Sequence, residues 1–328
     1  MRIGPPRVGR LVPILLVVIS LAVAASVVVG SQFVAPTAFF AHGTDSQAIL
    51  QARLPRTVLG LLVGAALGVA GACMQGLTRN PLADPGLLGV SAGASLAMVF
   101  AVSVLGISSL IGYLWFAFAG AAVAGIVVYG VASLGRAGAT PTKLVIAGAV
   151  VSAGVTSWTS AVLLGNRQTF DVFRSWQVGT IGGRSWQAVL IGLPFLAVGA
   201  ALAFGGARTL DTLALGDDLA TALGRRLVRD RILIGLAVVL LSGAATAIAG
   251  PIAFVGLVVP HAARALTGSA HRRVLPLSAG FGAVLVLVAD VVGRVILPPT
   301  EVQVGIMTAV VGVPVFAWFL RRGRMAGL

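Results

Sequence analysis

The sequence predicts an all-α polytopic membrane protein with about ten transmembrane helices in two inverted-topology halves. Of the 328 residues, 58% are hydrophobic and 10% are charged, and the mean hydropathy is +1.03. These values lie outside the range of soluble globular domains. Apolar runs of about 20 residues, each long enough to cross a hydrocarbon core, recur along the chain with short connections. Two of these runs also share an internal sequence similarity.

Ten candidate spans follow from the apolar runs, and together they predict a single integral membrane domain over residues 1–328. The first run resembles a signal peptide, but its length and the many later spans favour an uncleaved helix. The predicted spans cover residues 11–34, 57–76, 87–106, 112–133, 144–164, 187–207, 232–249, 252–268, 274–296 and 304–320.

The seventh and eighth spans require a break between them. Fused, they would make a single helix far longer than the bilayer is thick. The resulting odd number of spans would also place the basic residues of the two termini on opposite sides of the membrane. A break near Gly250 and Pro251 restores an even count and puts both termini in the cytoplasm.

The basic residues support this topology. Net charge is +14, but arginines that flank apolar spans are first an orientation signal, so we expect no nucleic-acid partner. With the amino terminus inside, 17 of the 23 Lys and Arg residues lie on the cytoplasmic side. The six basic residues on the outer side are Arg53, Arg56, Arg167, Arg174, Arg184 and Arg294.

An internal repeat points to the inverted halves. The stretch "GAALGVAG" at 64–71 returns as "GAATAIAG" at 243–250. The first copy lies in an inward-running span and the second in an outward-running span, as in the inverted repeats of transporters. Small residues that only serve close helix packing would give the same pattern, so both interpretations stay open.

The polar residues argue against catalysis in this chain and against proton coupling. All nine acidic residues fall in loops or near the ends of predicted spans. The only lysine, Lys143, follows Thr142 and therefore does not belong to a phosphate-binding loop. No metal-binding histidine or cysteine motif is present in the sequence. We expect no catalytic residue, cofactor or metal site here, whereas sodium coupling through carbonyls and hydroxyls stays open.

One hydrophilic stretch, "LGDDLATALGRRLVRDR" at 215–231, interrupts the apolar runs on the cytoplasmic side. Leu215, Leu219 and Leu223 recur every fourth residue and predict one face of an exposed helix. Such a helix can lie on anionic membrane lipid or dock a soluble protein, and its periodicity does not choose between them. We call residues 210–231 the coupling segment.

Four stretches resemble the permease subunits of FecCD-type ABC importers, which serve cobalamin, iron-siderophore and haem uptake and have the type II importer fold. The similarity extends over nearly the whole chain. The stretches are "RLPRTVLGLLVGAALGVAGACMQGLTRNPLADPGLLGVSAGAS" (53–95), "LGDDLATALG" (215–224), "GPIAFVGLVVPHAARAL" (250–266) and "ADVVGRVILPPTEVQVGIMTAVVGVPVFAWFLRR" (289–322).

The resemblance implies that this chain is a non-enzymatic transport subunit in a bacterial cytoplasmic membrane. It implies three kinds of protein partner: a second permease subunit, identical or similar, an extracytoplasmic binding protein, and ATPase subunits that carry ATP and Mg²⁺. The coupling segment would contact the ATPase. The implied contact residues are Leu215, Gly216, Asp217, Asp218, Leu219, Ala220, Leu223, Gly224, Arg225 and Arg226.

The resemblance also assigns roles at both ends of the pathway. Arg53, Arg56 and Arg294 match positions that pair with acidic residues of the binding protein. A cytoplasmic gate is placed at Thr140, Pro141 and Thr142, although the proline departs from the hydroxyl residue of some relatives.

An iron-siderophore complex is the expected substrate, because most of the family serves iron supply. Haem or cobalamin is the alternative within the family. An ion-coupled or facilitative secondary transporter is the alternative from another class.

Overall fold

The computed structural model describes residues 8–32, 45–107, 109–135 and 139–321. Regular structure within these ranges is helical throughout and includes one short 3-10 helix, Pro85–Leu88. The α-helices of the described ranges are α1 (Val8–Val28), α2 (Asp45–Thr78), α3 (Val90–Ser103), α4 (Leu110–Ala132), α5 (Pro141–Gly165), α6 (Arg167–Gln177), α7 (Trp186–Gly205), α8 (Ala207–Leu213), α9 (Asp217–Ala222), α10 (Leu227–Ala249), α11 (Val255–Thr267), α12 (His271–Val295) and α13 (Val304–Arg321).

Each of the ten predicted spans overlaps one of these helices. Within the described ranges, seven helices are long and apolar enough to cross a membrane: α1, α2, α4, α5, α7, α10 and α12. The other three, α3, α11 and α13, have 14, 13 and 18 residues. A helix of 13 residues rises only about 20 Å, less than the hydrocarbon thickness of about 30 Å. The count of ten crossings therefore stays a prediction.

Two helices extend well beyond their predicted spans because polar residues continue them outside the apolar run. α2 begins at Asp45 instead of residue 57, and its 34 residues rise about 50 Å. α10 begins at Leu227 instead of residue 232. Arg229 and Arg231, assigned to the coupling segment, therefore lie in the first turns of α10. In the first span, α1 ends at Val28, and residues 33 and 34 lie outside the described ranges.

A helix break lies at the position predicted between the seventh and eighth spans. α10 ends at Ala249, and Gly250 continues with a φ of 75°. Only glycine fits there, because a Cβ would lie 2.1 Å from the carbonyl oxygen of Trp176. The irregular backbone is partly satisfied by its neighbours, since Thr180 N donates to Ala249 O at 2.7 Å.

The outer connection after α5 contains a helix that hydropathy does not reveal. α6 begins after Asn166, whose side-chain oxygen accepts a hydrogen bond from Thr169 N at 3.0 Å. Phe173 and Trp176 are buried on one side of it. The helix is amphipathic instead of apolar, so it contains no apolar run that would mark it as a span.

The core lies around α2, which packs against α7, α10, α11 and α12. Of its apolar, membrane-length stretch, 78% is buried, compared with 17% for α5. Glycines 64, 68 and 71 let the backbones of α11 and α12 approach α2 without intervening side chains. α2 and α10 also run antiparallel, because Gly60 lies beside Ile181 while Ala249 binds Thr180 at the same end. The two copies of the repeat therefore run in opposite directions.

Candidate functional site

Charged side chains gather in two clusters at opposite ends of α2. The outer charged cluster contains Arg53, Arg56, Asp290, Arg294 and Glu301. The inner charged cluster contains Arg79, Asp217 and Arg231. Arg56 and Arg79 are separated by a helix length of about 35 Å, a distance close to the thickness of a bilayer, and the names outer and inner follow the predicted topology.

Arg53 and Arg294 close the carboxyl-terminal end of α1. Arg53 donates to Val27 O and Val28 O at 3.0 and 2.9 Å, and to Gln32 O at 2.6 Å. Arg294 donates to Ser26 O at 3.0 Å. The last carbonyls of a helix lack partners within it and carry partial negative charge, so both guanidinium groups act as caps for α1.

Asp290 connects the remaining members of the outer charged cluster. Its carboxylate is 1% exposed and accepts hydrogen bonds from Arg56 at 2.8–3.1 Å. Arg294 lies one helical turn away and approaches the same carboxylate at 3.1 Å, as their i,i+4 spacing on α12 allows. Arg56 also donates to Glu301 at 2.7 Å.

The predicted docking arginines are therefore engaged within the chain. Arg53 and Arg294 are 7% and 1% exposed, and Arg56 binds two carboxylates. To pair directly with acidic residues of a partner, these arginines would have to release their contacts within the chain. The docking role of the three residues stays a prediction.

A cavity of about 530 Å³ opens at the outer charged cluster. Four guanidinium groups contribute to its lining, from Arg53, Arg56, Arg184 and Arg294, with Glu301 as the acidic member. The Nε atom of Arg184 is buried and has no hydrogen-bond partner among the described residues. Positive charge at a concave mouth raises the local concentration of anionic groups, so this end of the bundle can attract an acidic protein surface.

On the inner side, the coupling segment folds as two short helices, α8 and α9, followed by the start of α10. The leucines predicted to share one helical face do not lie on one continuous helix, because Gly216 interrupts it with a φ of 109°. Leu215, Leu219 and Leu223 are nevertheless 58%, 56% and 64% exposed. Three exposed leucines on a short polar segment form an apolar surface suited to a protein partner.

Two predicted ATPase contacts bind or pack within the chain. Ala220 is fully buried, so it packs within this subunit and offers no surface to a partner. Asp217 binds Arg79 and Arg231. The remaining predicted contacts are on the surface or partly exposed: Gly216, Asp218, Gly224, Arg225 and Arg226. The contact set as a whole stays a prediction.

The inner charged cluster fixes the position of α9. Arg231 donates to both carboxylate oxygens of Asp217 at 2.8 and 2.7 Å, and to Ala139 O at 3.1 Å. Arg79 binds Asp217 and donates from Nε to Leu213 O at 2.7 Å. Burial raises the pKa of Asp217, but hydrogen bonds from Arg79 and Arg231 outweigh it and lower that pKa below its usual value.

Arg79 occupies an unusual backbone conformation just after α2. Its φ is 51°, in the left-handed region where glycine usually ends a helix. Asn80 N donates to Gln75 O at 3.2 Å across this turn. The conformation costs a residue with a side chain about 1 kcal/mol or more. The two contacts of its guanidinium group provide a physical reason for arginine at this position.

The predicted gate residues form the beginning of α5. The hydroxyl of Thr140 accepts a hydrogen bond from Lys143 N at 3.4 Å, and Pro141 is the first helical residue. Thr142 is exposed. The structure thus gives Thr140 and Pro141 a helix-capping role, while their role as a gate stays a prediction.

α5 differs from the other long helices in its surface. Thr156, Ser157 and Ser160 are exposed on this otherwise apolar helix. Ser157 Oγ donates to Ala153 O at 2.9 Å. Exposed hydroxyls on a spanning helix favour contact with another helix or a polar pathway over contact with lipid tails.

Several buried polar contacts join residues that are distant in the sequence. Of the three histidines, His42 lies outside the described ranges, His261 lies within α11 and His271 is the first residue of α12. His271 is 1% exposed and binds Asp211 at 2.7 Å. His261 Nε2 lies 2.8 Å from Pro81 O. Arg264 binds Gln75 in the core. No local sequence signal identifies such partners, because up to 189 residues separate them.

Comparison with known proteins places this architecture among characterised transporters. Residues 12–322 match the model of the FecCD transport family. The Fe(3+)-citrate import system permease protein YfmD of Bacillus subtilis is 46% identical over 87% of this chain and 85% of its own. The ferric enterobactin transport system permease protein FepD of Escherichia coli is 42% identical over 96% of both chains. A solved metal-chelate type ABC transporter in an inward-facing conformation has a TM-score of 0.86 at 25% identity, covering 96% of this chain and 99% of that one.

Proposed function

The chain belongs to the FecCD transport family, and we propose that it is the permease subunit of a binding-protein-dependent ABC importer for a ferric siderophore. The main support is the set of similar permeases, which are named for iron chelates and match at 41–46% identity over 84–96% of this chain. Iron chelates also suit the cationic outer mouth, because many carry negative charge.

The ATPase subunits would bind the coupling segment. The exposed leucines, Leu215, Leu219 and Leu223, support this assignment, because a protein cleft can cover them. ATP and Mg²⁺ would be held by these partner subunits, and this chain would supply no residue to hydrolysis. The inner charged cluster lies directly behind the leucines and keeps them in a fixed orientation.

The second permease subunit would pack along α5. The helix has the low burial and the exposed hydroxyls expected of a surface that faces protein. The substrate pathway would then run between the two copies of α5, where Thr156 and Ser160 offer hydrogen-bonding groups. Its inner end would be closed at Thr140, Pro141 and Thr142, which begin the same helix.

The binding protein would deliver substrate at the outer charged cluster. The mouth carries four arginines around a cavity, which favours the approach of acidic lobes. The outer charged cluster would then lie on the extracytoplasmic side of a bacterial cytoplasmic membrane, and both termini would lie in the cytoplasm. ATP-driven rocking of the helices would then expose the pathway alternately to the two sides.

Uptake by proteoliposomes that contain this chain with its ATPase and binding protein tests the proposal. Radiolabelled ferric citrate, ferric enterobactin, haem and cobalamin are offered with and without ATP on the ATPase side. ATP-dependent uptake of an iron chelate alone is expected. ATP-dependent uptake of haem or cobalamin instead would replace the substrate class. Uptake driven by an ion gradient without ATP would overturn the ABC assignment.

A further inference from the structure

The coupling segment has one exposed face and one face that contacts the rest of the chain, and the two faces differ in chemistry. Leu219 and Leu223 face away from the chain and are more than half exposed. On the same short helix, Ala220 is buried against the rest of the chain, and Asp217, whose side chain is 39% exposed, forms ion pairs with Arg79 and Arg231. A partner that moves the leucines must therefore also move Asp217.

On one side, Asp217 is tied to the most buried helix. Arg79 follows the last residue of α2 and binds Asp217 while its Nε holds Leu213 O at 2.7 Å. The backbone of Arg79 has a φ of 51°, a conformation that glycine adopts at a lower energetic cost than arginine. The guanidinium contacts of Arg79 therefore occur together with an unfavourable backbone conformation of the same residue.

On the other side, Asp217 is tied to the start of α5 through one side chain. Arg231 uses one amino group for Asp217 and the other for Ala139 O. Ala139 immediately precedes Thr140, whose hydroxyl caps α5. The planar guanidinium keeps these two contacts at a fixed angle, so displacement of the carboxylate is passed to the backbone before α5.

The two helices to which Asp217 is connected, α2 and α5, differ in how tightly they are packed within the chain. α2 is buried along most of its membrane-length stretch and meets α12 backbone to backbone near Gly64. α5 is largely exposed within this subunit. Movement that enters at α9 is therefore resisted by α2 and passed to α5.

We infer that Asp217 is a positioning residue that transmits movement of the coupling segment to α5 through Arg231, with Arg79 as its fixed point. This inference rests on the proposed function, since it requires an ATPase to move the segment. It gives Asp217 a role inside the permease that differs from direct contact with the ATPase.

The test compares uptake with hydrolysis in the assembled transporter. Wild-type, Asp217→Asn and Arg231→Lys complexes are reconstituted with the ATPase and binding protein, and uptake of the iron chelate transported by wild type is measured together with ATP hydrolysis. Both variants are expected to transport at least tenfold less chelate per ATP while hydrolysis continues. Asp45→Asn, an exposed carboxylate at the other end of α2, is expected to match wild type.

An unchanged ratio of chelate to ATP in both variants would overturn the inference. If uptake and hydrolysis both fall in proportion, the ratio is also unchanged, and the role of Asp217 is structural only. If Asp217→Asn fails to co-purify with the ATPase, the ratio of chelate to ATP is judged from Arg231→Lys alone, because that variant keeps the positive charge. A wild-type complex without ATP-dependent uptake would instead overturn the proposed function, and this inference with it.

Discussion

Gly64 of α2 and Gly282 of α12 meet backbone to backbone. A Cβ placed on Gly64 would lie 2.3 Å from the carbonyl oxygen of Gly282, and one placed on Gly282 would lie 2.1 Å from that of Gly64. Real Cβ atoms do not approach this closely, so the two helices must separate if either residue gains a side chain.

The first prediction follows from this contact. Gly64→Ala should destabilise the protein by about 1–3 kcal/mol through overpacking. A thermal melt in detergent measures the loss. Gly235→Ala is the control, because a Cβ at that position on α10 meets nothing within 4 Å. Alanine is the better helix former there, so the control should equal or slightly exceed wild type. Equal melting temperatures for both variants would contradict the packing described.

The second prediction concerns the buried carboxylate of the outer charged cluster. Asp290→Asn removes the counter-charge of Arg294, which is 1% exposed. Leaving a buried charge unpaired should cost about 3 kcal/mol. Glu301→Gln removes a carboxylate from the same Arg56, but that carboxylate is 39% exposed, and the cost should stay below about 1 kcal/mol. Chemical unfolding of both variants would reveal the difference, and a reversed order would disprove it.

The third prediction tests docking of the binding protein at the outer mouth. Glu301→Gln makes the cavity more positive and releases one contact of Arg56. Association of an acidic binding protein should become roughly two- to fivefold faster at low ionic strength, and the gain should vanish at high salt. Surface plasmon resonance on nanodiscs measures the rate. An unchanged rate at low salt would place docking elsewhere.

The fourth prediction concerns the exposed leucines. Leu219→Glu should abolish co-purification of the ATPase, because a charge replaces an apolar contact. Since Leu219 is 56% exposed, thermal stability of the permease should change by no more than about 0.5 kcal/mol. Leu219→Met keeps the apolar surface and should retain the ATPase. Retention of the ATPase by Leu219→Glu would remove this residue from the interface.

The fifth prediction uses the lowered pKa of Asp217. A carboxylate with a folded-state pKa below its unfolded value contributes stability that is present above the unfolded pKa of about 3.9. That contribution is lost as the pH falls through the lower folded-state pKa. Asp217→Asn should therefore melt below wild type at pH 7, and the two should converge below about pH 4. A difference that grows on acidification would contradict the pairing.

Hydropathy and charge predicted the transmembrane architecture because both determine how favourably a residue is placed in the bilayer. Each span was visible as a local run, and the small residues of α2 marked a face that packs closely. The ends of α2 and α10 were misjudged because a helix continues into water wherever its backbone bonds allow it. α6 was missed because it is short and amphipathic, with one apolar side.

The partners of the charged residues could not be predicted in this way. Arg56 binds Asp290 across 234 residues of sequence, and Arg79 binds Asp217 across 138. Such pairs form only after the helices have packed, so no periodicity encodes them. The contact of Arg294 with Asp290 is different, because it is local and only one helical turn separates the two residues. The burial of Ala220 could not be predicted either, because alanine has no polar group to indicate a partner and its burial depends on how α8 and α9 fold.

The hydroxyl of Ser157 has a consequence for how the transporter is made. It already donates to the carbonyl of Ala153 one turn earlier, so a newly inserted copy can expose α5 to acyl chains without an unsatisfied donor there. If the permease pairs with a second permease subunit as proposed, insertion of each chain and their pairing need not coincide in time. A single subunit could then wait in the bilayer until its identical or similar companion is synthesised.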